Sequence, residues 1–347
     1  MGCITGKYYW MLVVGCWLLT ACSSDHSEES EGSEGSTLKI VPYAAAYKSN
    51  NALSRRAVSA GYSEYNPTSD LAIGLLVLPS GTTQSNDVKL FRYSSGKWHS
   101  QAKVVSGNSY RVYGYMPKKD PIVMTVTEKG NGEVDLVFTG IDAVMLDDIC
   151  FVAGVKNMEG NLYQGQFGYV AQPENNWIRV LMDHLFAAIK FDIKVEAKYN
   201  ALRTIKLRSL KLNTTALQRI TLTLTPNGND VDPVYNIEYT PKEGTATATL
   251  FEDETGLELD ENVSATVSDC FGYFVSQQSN ALTLVCTYDV YDKKGNLIRK
   301  DCRAENKLPN LAANRGQFVT IKLTVAPTYL YQLSEPDLDN PSITIEN

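Results

Sequence analysis

Histidine is scarce: His26, His99 and His184 are the only three in 347 residues. So few, with His26 in an acidic N-terminal stretch, exclude an HExxH motif and a multi-histidine zinc centre. A GxSxG elbow, a P-loop, a dinucleotide fingerprint and EF-hand spacing are also missing. Basic residues do not predominate: 32 Lys and Arg against 39 Asp and Glu leave a net charge of -7, which argues against nucleic acid as a partner. Helical periodicity is rare, with one candidate helix at Val180 to Ala188, where Asp183 and His184 sit among Leu181, Leu185 and Phe186. Adjacent residues on a helix point in different directions, so Asp183 and His184 read as a packing or capping pair rather than a catalytic one. Carboxylates cluster at Asp147-Asp148, at Glu252-Asp253-Glu254 and at Asp337 with Asp339. The first pair could help hold a cation, although such pairs are more often surface residues; the second reads as a solvated connection. Nothing points positively to the paired carboxylates of a glycosidase. No catalytic residue, metal or cofactor is expected, and the chain reads as a non-enzyme.

From Leu38 onward the dominant pattern has period two, the mark of half-buried strands. The clearest case is Ile189-Lys190-Phe191-Asp192-Ile193-Lys194-Val195-Glu196, apolar on one face and charged on the other. Comparable runs include Leu38 to Tyr43, Tyr110 to Tyr115, Val134 to Phe138, Ile205 to Leu212, Ile220 to Thr225, Phe318 to Val325 and Ser342 to Glu346. Turn chemistry separates them, as at Lys129-Gly130-Asn131-Gly132, Asn227-Gly228-Asn229 and Lys293-Lys294-Gly295-Asn296. The expected fold is all-β, two tandem β-sandwich domains with one short helix, at 38–177 and 178–347. Cys150, Cys270, Cys286 and Cys302 form no CxxC pair; disulfides and buried free thiols both remain open. The 20 tyrosines include Tyr110, Tyr113 and Tyr115, and with Trp98 and Trp177 they are candidates either for stacking on sugars or for sheet packing.

The N-terminus carries a secretory signal at 1–21: Lys7 supplies charge and Met11 to Leu19 an apolar run. That run of nine residues is too short to span a bilayer of about 30 Å. Leu19-Thr20-Ala21-Cys22 resembles a lipobox, which implies diacylglycerol on the Cys22 thiol and a mature chain starting there. Residues 22–37 form an acidic tether with Asp25, Glu28, Glu29, Glu31 and Glu34 and almost nothing apolar to bury. Acidic residues at this place resemble the surface-export signal of Bacteroidetes lipoproteins, implying the outer face of the outer membrane. A strand with Leu38, Ile40 and Val41 follows, then a small-residue linker and Arg55-Arg56-Ala57-Val58. Two arginines in such a segment suit an Arg-specific surface protease. Residues 38–56 are thus expected to be a propeptide with a removable strand.

Five features carry a resemblance across nearly the whole chain: the lipobox at Cys22, the arginine site followed by Ala57, Tyr110-Arg111-Val112-Tyr113-Gly114-Tyr115-Met116-Pro117, Leu181 to Ile189, and the closing Asp339-Asn340-Pro341-Ser342-Ile343-Thr344-Ile345-Glu346. In this order they resemble the fimbrillin family, subunits of the type V pili of Bacteroidia. The resemblance implies two transthyretin-like sandwiches and assembly rather than catalysis. Loss of the Leu38 strand would leave a groove for a donor strand from a neighbouring subunit, with Ile343 and Ile345 as the donor's inward residues. The implied partners are other fimbrial subunits, the protease and, before processing, the outer membrane. The alternative is a lipid-anchored adhesin that binds a host or bacterial glycan or protein and does not polymerise.

Overall fold

The structure is a computed structural model that describes residues 35–49, 61–68, 70–159, 166–226, 234–275, 282–308, 311, 313–329 and 336–346. Cys22, His26, Arg55, Arg56 and the Asn227-Gly228-Asn229 turn lie outside the described residues. The principal strands are β1 (Lys39–Ala45), β2 (Lys48–Ser49), β3 (Leu71–Pro79), β4 (Ser109–Met116), β5 (Cys150–Lys156), β6 (Trp177–His184), β7 (Ala187–Val195), β8 (Arg203–Thr225), β9 (Val234–Leu259), β10 (Gln317–Tyr329) and β11 (Pro336–Glu346). The chain is all-β, its described helices being two four-residue turns, Ala197–Asn200 and Ala265–Ser268.

Alternation builds β7 as expected. Ile189, Phe191, Ile193 and Val195 are each 1% exposed or less, and each such burial contributes about 1.5–3 kcal/mol. On the opposite face Lys190 and Asp192 approach to 3.9 Å. The expected helix at Val180 to Ala188 is instead the end of β6, a corner at Leu185-Phe186, and the start of β7. Val180, Leu181, Met182, Leu185, Phe186 and Ala187 are all buried. A strand covered on both faces loses its alternation, and a short apolar run then looks like a helix by periodicity alone. Pairing decides the conformation: β6 lies between β5, antiparallel, and β1, parallel.

Three larger sheets carry the fold. The first runs Tyr62–Glu64, β1, β6, β5, β4, β3, Lys89–Ser94, Lys97–Ser100. The second runs Leu297–Lys307, Thr283–Asp292, β8, Val134–Thr139, Val123–Glu128, Gln84–Ser85, with β9 paired along β8. The third runs Val144–Met145, Phe271–Phe274, β7, β10, β11, with β2 also paired to β10.

Among the described residues there are two hydrophobic cores, and β8 passes from one to the other. Ile205, Leu207, Leu210 and Leu212 belong to one core; Leu217, Ile220, Leu222 and Leu224 belong to the core that also holds Leu38, Ile40, Tyr113 and Phe151. The stretches Ile205 to Leu212 and Ile220 to Thr225, separate in the sequence pattern, are one 23-residue strand. Register shifts near Ser209 and Leu217 interrupt its alternation, and such bulges bend a strand without ending it. The turn at Lys293 to Asn296 forms as expected, with Gly295 at φ +85°, a conformation glycine adopts without a Cβ clash.

Candidate functional site

The N-terminal segment enters the body in three places. Ser36–Thr37 pairs with Lys103–Val104, β1 lies along β6 from Lys39↔Trp177 to Ala44↔Met182, and β2 pairs with Gln317 and Phe318 of β10. Leu38 and Ile40 face the core at 0% and 2% exposure, while Val41 lies half-buried on the other face. Backbone bonds tie both edges of the segment: the Lys39 N–H donates to the Asn176 carbonyl at 2.7 Å, and the Tyr65 N–H donates to the Pro42 carbonyl at 2.9 Å. Arg179 lies over the Tyr43 ring and Lys39 over Trp177. A cavity of about 500 Å³ opens beside β1, lined by Leu38, Ile40, Phe91, Trp98, His99 and Trp177.

Beyond β1 the segment reaches a buried polar cluster. The Tyr47 hydroxyl donates to Asp148 Oδ1 at 2.7 Å, and the Tyr47 ring stacks on His184 with centroids 3.6 Å apart. His184 Nδ1 lies 2.8 Å from Asp148 Oδ2 and 3.6 Å from Cys150 Sγ, while Nε2 lies 2.8 Å from the Ala45 carbonyl oxygen. Behind the histidine, Arg315 Nη1 pairs with Asp183 Oδ2 at 2.6 Å and donates to the His184 carbonyl at 2.9 Å. Asp183 also accepts the His184 backbone N–H at 2.8 Å. Burial, then the Asp148 charge, pushes up both the Tyr47 hydroxyl and the Cys150 thiol. Burial opposes the Arg315 charge, but Asp183 and Tyr235 outweigh it and hold the guanidinium protonated.

The C-terminal strand β11 lies at the edge of the third sheet, antiparallel to β10 from Glu346↔Lys322 to Pro341↔Pro327 and again beyond a register shift. Ile343 is 4% exposed and Ile345 is half-buried. Leu38 and Ile40 therefore stand in a different sheet from Ile343 and Ile345. The two ends nevertheless share one edge of β10: its opposite edge is taken by β7, leaving β2 at Gln317-Phe318 and β11 from Lys322 onward on the same side.

The remaining sequence candidates have structural roles. Tyr110, Tyr113 and Tyr115 are at most 7% exposed, so they are core residues and offer no face to a sugar. Glu252 pairs with Lys211, and Asp339 with Arg203. Asp253 is held below the usual carboxylate range, first by the Thr255 hydroxyl and then by backbone N–H groups. Asp147 pairs with Lys119, whereas its neighbour Asp148 turns into the buried cluster. All four cysteines Cys150, Cys270, Cys286 and Cys302 are free. The sequence reading missed Tyr47 and Arg315. The one available signal was the spacing of Asp148 and Cys150, which as i and i+2 on extended chain share a face.

No family model and no curated protein matches the chain. Among solved structures it is similar to a Bacteroides fragilis protein named for a cell-adhesion role, with 11% identity, 89% of this chain and 97% of that one covered, and a TM-score of 0.45. It is also similar to a fimbrial protein from Bacteroides vulgatus, at 11% identity, coverages of 79% and 91%, and a TM-score of 0.34. A third is a fimbrial anchor protein from Porphyromonas gingivalis, at 10% identity, coverages of 88% and 97%, and a TM-score of 0.26. With every TM-score below 0.5, no family or activity follows from these likenesses.

Proposed function

We propose that the chain is a structural subunit of a cell-surface fimbria, exported as a lipoprotein through Cys22, cut at Arg55 or Arg56, and polymerised by strand exchange. The observation that carries this reading is the position of β1. It is an interior strand, Ile40 within it and Leu38 just before it are core residues, and the chain leading away from it contains the two adjacent arginines. Removing it uncovers both the ladder edge of β6 and an apolar groove, a surface that another strand can complete.

The candidate donor matches in size and pattern. Toward the core, β1 and the residue before it present Leu38, Ile40 and Pro42; β11 presents Pro341, Ile343 and Ile345. The uninterrupted stretches of ladder are also of equal length, since Lys39 to Ala44 pair with β6 and Pro341 to Glu346 pair with β10 before its register shift. Donor and groove are different surfaces, so the contact repeats as a filament rather than closing on itself. Other fimbrial subunits, the Arg-specific protease and, before cleavage, the outer membrane are the partners of this reading.

Treating the purified precursor with a trypsin-like protease tests it. The expected products are an N-terminus at Arg56 or Ala57 and a ladder of heat-resistant oligomers, both lost in the Arg55→Ala/Arg56→Ala variant. A chain that is cut there, sheds β1 and stays monomeric overturns the polymer. A second reading, a glycan-binding adhesin, draws on the cavity beside β1 with Trp98, His99 and Trp177. Binding on a glycan array that Trp98→Ala and Trp177→Ala abolish would favour it.

A further inference from the structure

Both ring nitrogens of His184 face acceptors. The Ala45 carbonyl can only accept, so Nε2 carries the proton of that bond, and the lone pair of a neutral ring then sits on Nδ1. At 2.8 Å from Nδ1 is a carboxylate oxygen, and at 3.6 Å is a sulfur. Three electron-rich atoms, Nδ1, Asp148 Oδ2 and Cys150 Sγ, thus converge within 4.8 Å of one another. Something electropositive is needed between them: a proton, carried by the ring, the carboxyl or the thiol, or a metal ion.

We propose that Asp148, Cys150 and His184 bind one divalent transition-metal ion of the zinc class, with Ala45 and Tyr47 as the outer groups that orient the ligands. The donor set favours such an ion: thiolate and imidazole suit zinc or cobalt, whereas calcium and magnesium take oxygen ligands. Distance supports it as well. Tetrahedral bonds of about 2.1 Å to nitrogen and about 2.3 Å to sulfur place those atoms about 3.6 Å apart, which is the separation of Nδ1 and Sγ. The carboxylate oxygen stands closer than the roughly 3.3 Å that the same geometry gives for nitrogen and oxygen, and must withdraw by about half an ångström. Asp148 is 26% exposed at its side chain against 6% for His184, so of the two it is the ligand open to solvent. It also marks the route by which an ion and a water for the fourth position would arrive.

The outer groups are those a metal-bound histidine and carboxylate require. A ligating imidazole donates its other N–H to a carbonyl, here that of Ala45, and a ligating carboxylate is itself held by a hydrogen bond, here from Tyr47. Charge also balances: the Arg315 guanidinium neutralises Asp183, leaving the Asp148 carboxylate and a Cys150 thiolate to face the two positive charges of the ion. Binding forms the metal–sulfur, metal–nitrogen and metal–oxygen bonds and releases the thiol proton, and any Nδ1 proton, to solvent. Affinity therefore falls as pH falls.

Cobalt(II) titrated into the purified full chain reads the site directly, because thiolate coordination produces a sulfur-to-cobalt charge-transfer band and a tetrahedral ion gives strong visible absorption. The expected result is saturation at one equivalent, displacement by zinc, and a 10–100-fold weaker affinity in Tyr47→Phe. Cys150→Ser and His184→Gln lose the charge-transfer band, while Cys286→Ser keeps it. No band in the wild-type chain, or a band that survives Cys150→Ser, overturns the site and leaves a hydrogen-bonded histidine–carboxyl pair in its place. Should Cys150→Ser fail to fold, the wild-type spectrum and the Tyr47→Phe affinity decide alone.

Discussion

Ile40→Ala separates the proposed precursor from the proposed polymer. Ile40 is 2% exposed and packs in the core that contains Leu38, Phe91 and Tyr113. The substitution removes three carbons, about 0.8 kcal/mol each by transfer, and the cavity left behind raises the loss to about 3–4 kcal/mol. With a urea slope of about 3 kcal/mol/M, the precursor midpoint falls by about 1 M. If β1 is discarded on cleavage and replaced by a neighbour's β11, the same substitution changes nothing in the assembled form. Urea unfolding of both states, followed by intrinsic fluorescence, reads this contrast. A precursor unaffected by the substitution refutes the packing role of Ile40, and an equal loss in precursor and polymer refutes the departure of β1.

Two further outcomes test the body of the fold. Arg315→Met leaves Asp183 buried without its partner, and a loss of about 3–5 kcal/mol is expected in thermal unfolding; adding Asp183→Leu should recover most of it, and a single variant as stable as wild type would remove the pair from the account. Burial pushes the Cys286 thiol up to about 12 from an ordinary 9.0. Between those values the unfolded chain gives up this proton and the folded chain keeps it, so stability falls as pH rises, by at most about 1.4 kcal/mol per unit from this group. Comparison with Cys286→Ala over pH 9 to 11 should isolate that slope, and identical slopes would refute the burial argument.

How much of this was legible depends on whether a residue's surroundings are local. At Ile189 to Val195 one face is buried and the other wet, and the alternation states the conformation outright. A few residues earlier, Val180 to Ala187 are covered on both faces, and only the partners β1 and β5 reveal a strand. The tyrosines of β4 were ambiguous for a similar reason: Tyr113 sends its hydroxyl to Glu128 and Tyr115 to the Ile122 carbonyl, bonds that let a polar tip stay inside. The reading that set His184 apart from Asp183 rested on a helix that the structure replaces with β6, and the important neighbours of His184 lie elsewhere in the chain. Asp148 and Cys150 are 36 and 34 residues away, and Ala45 is 139 away. Spacing could not join them, because the join is made by the registers of β5 and β1 on β6.

The pairing of β2 with β10 also bears on when the fold can be completed. Lys48 meets Gln317, 269 positions later in the chain, and β1 meets β6 across almost 140. Contacts of such long range form late and slowly, since a large loop must close before they contribute. A chain made from its N-terminus can place β1 once β6 is present, but it holds β2 without this partner until Gln317 and Phe318 follow. The N-terminal segment is therefore fixed in two stages, β1 before β2, and the second stage waits for β10.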